Sequence, residues 1–301
     1  MNEIAFAVHP VQPFRLDLTV WALRRRPNNA MDRWEEGIYR RTLVVGARPV
    51  HVAVTQQKTT LAVTVTGVSR LPSGTQADVT ATLDRLLGLQ VDLRKFYRLA
   101  CREPKLHRLA QRFLGMKPPC FPSVFEGLVN AIACQQLSLT VGITLLNRLA
   151  EHYGLGSQAG GRAFPRPEEL ATAEIRTLRA LGFSRSKGQA LISAARTIQE
   201  GKLDLDGLTT MGDVEIVNRL MELRGVGRWT AEYILLRGLG RTHKFPGDDV
   251  GAQKGLQRWL RLKRPPDYDH VRTVLRKWRP YAGLIYFHLL LDGLDRRGWM
   301  T

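Results

Sequence analysis

Two short stretches of this 301-residue chain hold residue types that could do chemistry. The first is Leu223-Arg224-Gly225-Val226-Gly227-Arg228-Trp229-Thr230-Ala231. Gly225 and Gly227 permit a turn with positive φ and leave backbone amides uncovered. Apolar spacing predicts a short amphipathic helix over 215–222 and a second helix from the turn to about Leu239. A helix start leaves N–H groups without intrahelical partners and carries the positive end of the dipole. Such a turn holds a phosphate oxygen with no side chain required, and Arg228 adds a direct charge. Taken alone, it is equally an ordinary tight helix connection. The second stretch is Phe245-Pro246-Gly247-Asp248-Asp249-Val250, where Pro and Gly fix a loop and two acids open a helix running to about Leu260. Locally, either acid is a good N-cap. Ser184, Arg185 and Lys187 have the pattern of another phosphate-facing turn before a helix.

The charge balance favours the phosphate reading. Lys+Arg 45 against Asp+Glu 27 gives +18. An excess this large points to a polyanionic partner, nucleic acid first and an anionic membrane surface second, since self-repulsion otherwise only destabilises the chain. No uninterrupted apolar run reaches about 18 residues, so no spanning helix is expected. The N-terminal MNEIAFAVHPVQPFRLDL lacks the basic stretch and apolar core of a secretory signal, which points to the cytoplasm. Cys101, Cys120 and Cys134 are odd in number and irregularly spaced. They make no disulfide framework and cannot supply a four-cysteine zinc or iron–sulfur site. Three buried or partly buried thiols are expected.

The elements that must position these residues fall into two textures. Period-two alternation predicts strands over 14–22, 38–45, 50–55 and 61–67, with a polar turn at 56–58, hence an antiparallel sheet with one solvated face. After 71–74 the period becomes helical. Helices are expected over 77–89 and 105–114. Ser123 caps a core-facing helix whose stripe is Phe125, Leu128, Val129, Ile132 and Ala133. Another helix carries Leu139, Ile143, Leu146 and Leu149, and Ser184 caps one carrying Ala190, Leu191, Ala194, Ala195 and Ile198. A Gly-rich loop is expected over 154–166, and helical texture runs to about Asp292. The chain therefore reads as mostly α: a small antiparallel α+β domain over 1–99, then a large all-α domain over 100–301.

Asp249 follows Gly227 by 22 residues, one helix plus one loop. With that spacing the sequence resembles the helix-hairpin-helix/Gly-Pro-Asp (HhH-GPD) superfamily of DNA glycosylases, in its 3-methyladenine DNA glycosylase II (AlkA) type. The hairpin is LRGVGRWTA, near 215–239, and the Gly-Pro-Asp element is FPGDD, in a loop over 245–250. FEGLVNAIACQQ, FPRPEELATA, LRALGFSRSKGQAL and KWRPYAGL match as well. The likeness is close from about Pro118 onward and looser before, where that family carries a small antiparallel α+β domain.

The resemblance implies a base-excision enzyme that flips a damaged base out of double-stranded DNA and hydrolyses its glycosidic bond. It makes Asp249 the catalytic acid and Asp248 a cap or positioning residue. Trp229, Tyr233 and Phe287 fall on aromatic positions of the base pocket, and Gln135 and Gln136 on the turn that fills the duplex gap. Gln136 departs from the leucine common there, and Arg224 from the usual proline. Gly225, Gly227, Arg228, Thr230, Ser184 and Lys187 are the implied phosphate contacts. The carbonyls of Met221, Leu223 and Val226 are implied ligands of a structural Na+ or K+; no other cofactor and no iron–sulfur cluster is expected. Bifunctional members carry a lysine nucleophile where this chain has Trp229, so a monofunctional enzyme without lyase activity is expected. It is expected to be monomeric, nucleoid-associated in the cytoplasm and free of membrane. Alkylated purines such as 3-methyladenine and 7-methylguanine are the first substrate reading. The alternatives are deaminated, oxidised or mismatched bases on the same fold, or a non-catalytic hairpin DNA-binding protein.

Overall fold

The computed structural model describes residues 2–156 and 161–300. Of the loop expected over 154–166, residues 157–160 lie outside that description. Five strands, β1 (Glu3–Val8), β2 (Arg33–Glu35), β3 (Ile38–Val45), β4 (Arg48–Gln57) and β5 (Thr60–Gly67), form one antiparallel sheet in the order β1-β5-β4-β3-β2. Pairings such as Val52 with Val65 and Val54 with Val63 set the register. Val50, Val52, Val54, Leu61, Val63 and Val65 are thereby all buried, as period-two alternation demands. Helix α2 (Thr75–Leu87) lays Val79, Leu83, Leu86 and Leu87 into the same core.

One strand expectation is overturned. Residues 14–22 lie mostly in helix α1 (Leu16–Arg24). Leu16, Val20 and Leu23, spaced i, i+4, i+7, enter the sheet core, while Leu18, Trp21 and Ala22 enter a helical core on the other side. A helix buried on two faces carries apolar residues at both parities, so the alternation of residues 14 to 22 mimicked a strand.

The remaining helices are α3 (Arg94–Cys101), α4 (Pro104–Arg112), α5 (Val124–Cys134), α6 (Leu139–Tyr153), α7 (Pro167–Ala171), α8 (Ile175–Ala180), α9 (Arg185–Gln199), α10 (Asp213–Met221), α11 (Arg228–Arg237), α12 (Val250–Leu260), α13 (Tyr268–Leu275) and α14 (Ala282–Asp295). The expected domain boundary between 99 and 100 falls inside α3, whose Phe96 and Ala100 pack with the helices. Ser123 and Ser184 cap α5 and α9, accepting from the Glu126 and Lys187 amides. Cys101 is exposed, against expectation, and Cys120 and Cys134 are half-buried; all three are free thiols.

Two helical cores meet at α11. One gathers α5, α6, α9 and α10 with Ala231, Ile234 and Leu235; the other gathers α1, α3, α4, α12, α13 and α14 with Leu236. Every residue of α11 from Thr230 to Arg237 is buried. The ends of the elements along this seam carry the residues of interest.

Candidate active site

Asp249 is the N-cap of α12, and its two carboxylate oxygens face different partners. Oδ1 accepts the Ala252 N–H at 2.9 Å. Oδ2 accepts Trp229 Nε1–H at 3.4 Å and the Tyr286 hydroxyl at 3.2 Å. The cap and catalytic readings of Asp249 therefore coexist in one side chain, half-buried at the junction of α11, α12 and α14. Burial, with the Asp249 charge beside it, pushes the Tyr286 phenol well above its ordinary value, so Tyr286 remains a donor. Asp248 caps nothing. It pairs with Arg228 at 2.8 Å, and that guanidinium also lies 3.7 Å from the Tyr268 ring centroid.

The loop before Asp249 is held by groups that sequence reading did not single out. Glu232 is buried on α11; its Oε2 accepts the Gly247 N–H at 3.1 Å and its Oε1 accepts the Tyr268 hydroxyl at 2.7 Å. Gln253 Nε2–H donates to the Gly247 carbonyl at 2.8 Å. A Cβ on Gly247 would lie 2.5 Å from the Tyr268 ring, which is why glycine stands there. The only available signal for Glu232 was an acid inside an otherwise apolar helix.

Trp229 and Tyr233 share a face of α11 as expected, with ring centroids 5.4 Å apart. Trp229 is half-buried, whereas Tyr233 is only 3% exposed. Phe287, expected to line the pocket, is fully buried beside the Arg237 guanidinium; α14 turns Tyr286, its neighbour, to Asp249 instead.

In the hairpin, Gly225 takes φ +77 and its Cβ position lies 3.0 Å from the Ala190 side chain, so both conformation and contact call for glycine. Gly227 is extended, with φ −108 and ψ −178, and a Cβ there would meet open space. The positive φ expected of it is not used. Three expected phosphate contacts are otherwise engaged. Thr230 is buried and its Oγ1 accepts from Gln135 Nε2 at 2.9 Å. Lys187 Nζ donates to the carbonyls of Ala133 and Gln135, tying α9 to the end of α5. Arg228 is paired as described. Gln135, expected at the duplex gap, also donates to the Gly225 carbonyl at 2.9 Å and so braces the hairpin. Gln136 is exposed, with φ +53, beside the exposed Leu137.

The carbonyls implied as cation ligands suit a hard monovalent ion. Met221 ends α10, where carbonyls lack intrahelical donors and the dipole is negative. Leu223 O accepts only the Val226 N–H, at 3.1 Å, among the described backbone bonds and retains a lone pair. Among the described residues no cluster of His, Cys, Asp and Glu could hold a metal ion.

A family model described as HhH-GPD superfamily base excision DNA repair protein matches residues 129–280, half of the chain. A DNA-3-methyladenine glycosylase of Bacillus subtilis is 25% identical over 294 residues, covering 96% of this chain and 97% of that one. DNA-3-methyladenine glycosylase 2 of Escherichia coli is 32% identical over 189 residues, 61% of this chain but only 63% of its own length. Among solved structures, a 3-methyladenine DNA-glycosylase from Archaeoglobus fulgidus superposes with a TM-score of 0.84 at 28% identity, covering 97% of this chain and 98% of that one. The chain belongs to the HhH-GPD superfamily of base excision DNA repair proteins, within its 3-methyladenine DNA glycosylase II (AlkA) type.

Proposed function

We propose that this protein is a monofunctional DNA glycosylase that extrudes an alkylated purine, such as 3-methyladenine or 7-methylguanine, from double-stranded DNA and hydrolyses its N-glycosidic bond. The observation that carries the reading is the Asp249 carboxylate, fixed by Ala252, Trp229 and Tyr286 at a half-buried helix start. Cleaving a glycosidic bond builds positive charge on the sugar. A preorganised carboxylate in a water-poor site stabilises that charge and orients or deprotonates the attacking water. An alkylated purine already carries positive charge, so it departs without a general acid. The face of the half-buried Trp229 attracts such a base.

The other roles follow the geometry. Gln136, exposed and in a left-handed conformation, fills the gap left by the extruded base. The Gly225–Gly227 amides and the start of α11 hold a backbone phosphate, with open space at Gly227 for the strand. Ser184 does the same at α9. The carbonyls of Met221, Leu223 and Val226 hold a structural Na+ or K+ that takes no part in the chemistry. An indole at Trp229 offers no amine for a Schiff base, which supports hydrolysis without strand cleavage. No helix among the described residues is long and apolar enough to cross a membrane. The proposed working form is a monomer with the chromosomal DNA of the cytoplasm. Incubating the protein with methylated duplex DNA should release free base and leave intact abasic strands, with nothing trapped by borohydride. A covalent adduct overturns the monofunctional reading; duplex binding without base release overturns the glycosylase reading in favour of a binding module.

A further inference from the structure

We propose that Arg25, carried by the N-terminal part of the chain, reads the extruded base and favours purines with a carbonyl at position 6 over those with an amine there. The proposal rests on the glycosylase reading above and names the substrate class of that same site.

Arg25 follows α1 in a left-handed conformation, φ +61, and is 3% exposed. Of the run Arg24-Arg25-Arg26, it alone reaches Tyr233: Arg24 donates to the carbonyls of Pro27 and Trp34, and Arg26 lies over the Trp299 ring. Arg25 Nη1 donates to the Tyr233 hydroxyl at 2.9 Å and Nη2 to Asn130 Oδ1 at 2.8 Å, while its buried Nε has no acceptor. A second buried guanidinium lies against the same ring. Arg237 is 5.8 Å from the Tyr233 centroid, donates to the carbonyls of Ala22 and Leu23, and leaves Nε and Nη1 without acceptors.

Neither cation has a counter-charge. Among the described residues no carboxylate pairs with Arg25 or Arg237, whereas the equally buried Arg41 pairs with both Asp32 and Glu126 at 2.6 Å. Burial pushes the Tyr233 phenol and the Cys134 thiol up, so both are neutral near pH 7 and compensate nothing. An uncompensated buried cation is strongly destabilising, and an electron-rich ligand group relieves it.

The order of groups along the site identifies that ligand group. Asp249 touches Trp229, Trp229 stacks beside Tyr233, and Tyr233 accepts from Arg25. A purine whose N9 bond lies at Asp249 turns its opposite edge, with position 6, toward Tyr233 and Arg25. A guanidinium only donates. It bonds a position-6 carbonyl, as in 7-methylguanine or hypoxanthine, and opposes the exocyclic amine of 3-methyladenine donor to donor. A positive charge on the base is disfavoured by the same two cations, so neutral hypoxanthine gains most.

The test measures release of 3-methyladenine and 7-methylguanine from one sample of methylated duplex DNA, and of hypoxanthine from a defined duplex, by wild type, Arg25→Met and Arg25→Lys. Arg25→Met should lower release of both carbonyl purines about 10-fold or more relative to 3-methyladenine, and Arg25→Lys should recover part of that ratio. The ratio within one preparation is insensitive to the folded fraction, so partial misfolding does not mimic the effect. A uniform fall for all three bases, or no change, overturns the proposal. So does a wild type that releases 3-methyladenine but neither carbonyl purine, an outcome that leaves the glycosylase reading standing. Release of no base by wild type overturns both.

Discussion

Asp249 serves the fold with one oxygen and the chemistry with the other, and two substitutions separate the roles. In Asp249→Asn the side-chain oxygen still accepts the Ala252 amide, and Asn is as good an N-cap as Asp. The Tyr286 hydroxyl reverses to accept from the new amide. The Trp229 bond at 3.4 Å is lost, but at that length it is worth less than about 1 kcal/mol. Loss of the charge at the α12 start costs about 0.3–1 kcal/mol more. The melting temperature should therefore fall by no more than about 2–4 °C. Catalysis loses the full charge that stabilises the sugar cation, about 3–4 kcal/mol, or roughly 100- to 1000-fold in rate. Asp249→Ala should match that loss of rate and in addition lose the cap, about 1 kcal/mol. Single-turnover release of 7-methylguanine with enzyme in excess, and thermal unfolding of the same preparations, report the two quantities. Asn within about threefold of wild type in rate refutes the catalytic role; Asn melting as low as Ala refutes the assignment of the cap to Oδ1.

Glu232→Ala should free the loop over 245–249 and slow base release about 10-fold while duplex binding holds, measured as single-turnover rate against binding affinity; an equal loss of both would make Glu232 a binding residue instead. Gly227→Asp should leave the melting temperature unchanged, since its Cβ meets open space, yet weaken binding to damaged and undamaged duplexes alike; equal affinity at low salt would remove the hairpin from the DNA contact. Burial pushes the His288 imidazole down to about 4, so the unfolded chain takes up the proton first as pH falls. Stability should drop from about pH 6.5 downward and level off below about pH 4, by about 3 kcal/mol in all, and thermal midpoints at pH 7.5 and 4.5 should lie closer together in His288→Leu than in wild type.

Local signals were legible wherever one face of an element meets water. The alternation over 38–45 and 50–67 gave the sheet its buried face, and Ser123 and Ser184 cap the helices whose stripes follow them. Periodicity failed at α1, which is buried on two sides and so presents no polar face to read. At the site, spacing brought Trp229 and Asp249 together, because one helix and one loop of fixed length separate them. It could not bring in Tyr286, which differs from Phe287 by a rotation of one residue on a helix apolar all round. It also could not foresee that Lys187, Thr230 and Gln135 would be drawn inward. A polar side chain near a helix end meets phosphate or a neighbouring carbonyl according to packing between elements distant in sequence.

The buried ions explain why a glycosylase site lying on α11, α12 and α14 needs the small sheet beside it. Arg41 on β3 reaches Glu126 on α5, and Tyr39 and Asp32 complete the group. Burial pushes the Glu126 carboxyl up in spite of its arginine. The bridge is thus a poor source of stability, and its use is registry. Eight residues separate Glu126 from Cys134 at the end of α5, about 12 Å of helix, so a 5° tilt about Glu126 would move Gln135 and Gln136 by about 1 Å. Gln135 braces the hairpin, and displacements of that size in a positioning group cost roughly 100-fold in rate. Arg25 ties α5 and α11 together a second time, through Asn130 and Tyr233. The sheet domain is thereby a positioning part of the catalytic centre, setting where the duplex-facing turn stands relative to Asp249 and supplying the one donor that reaches toward the base from outside the helical domain.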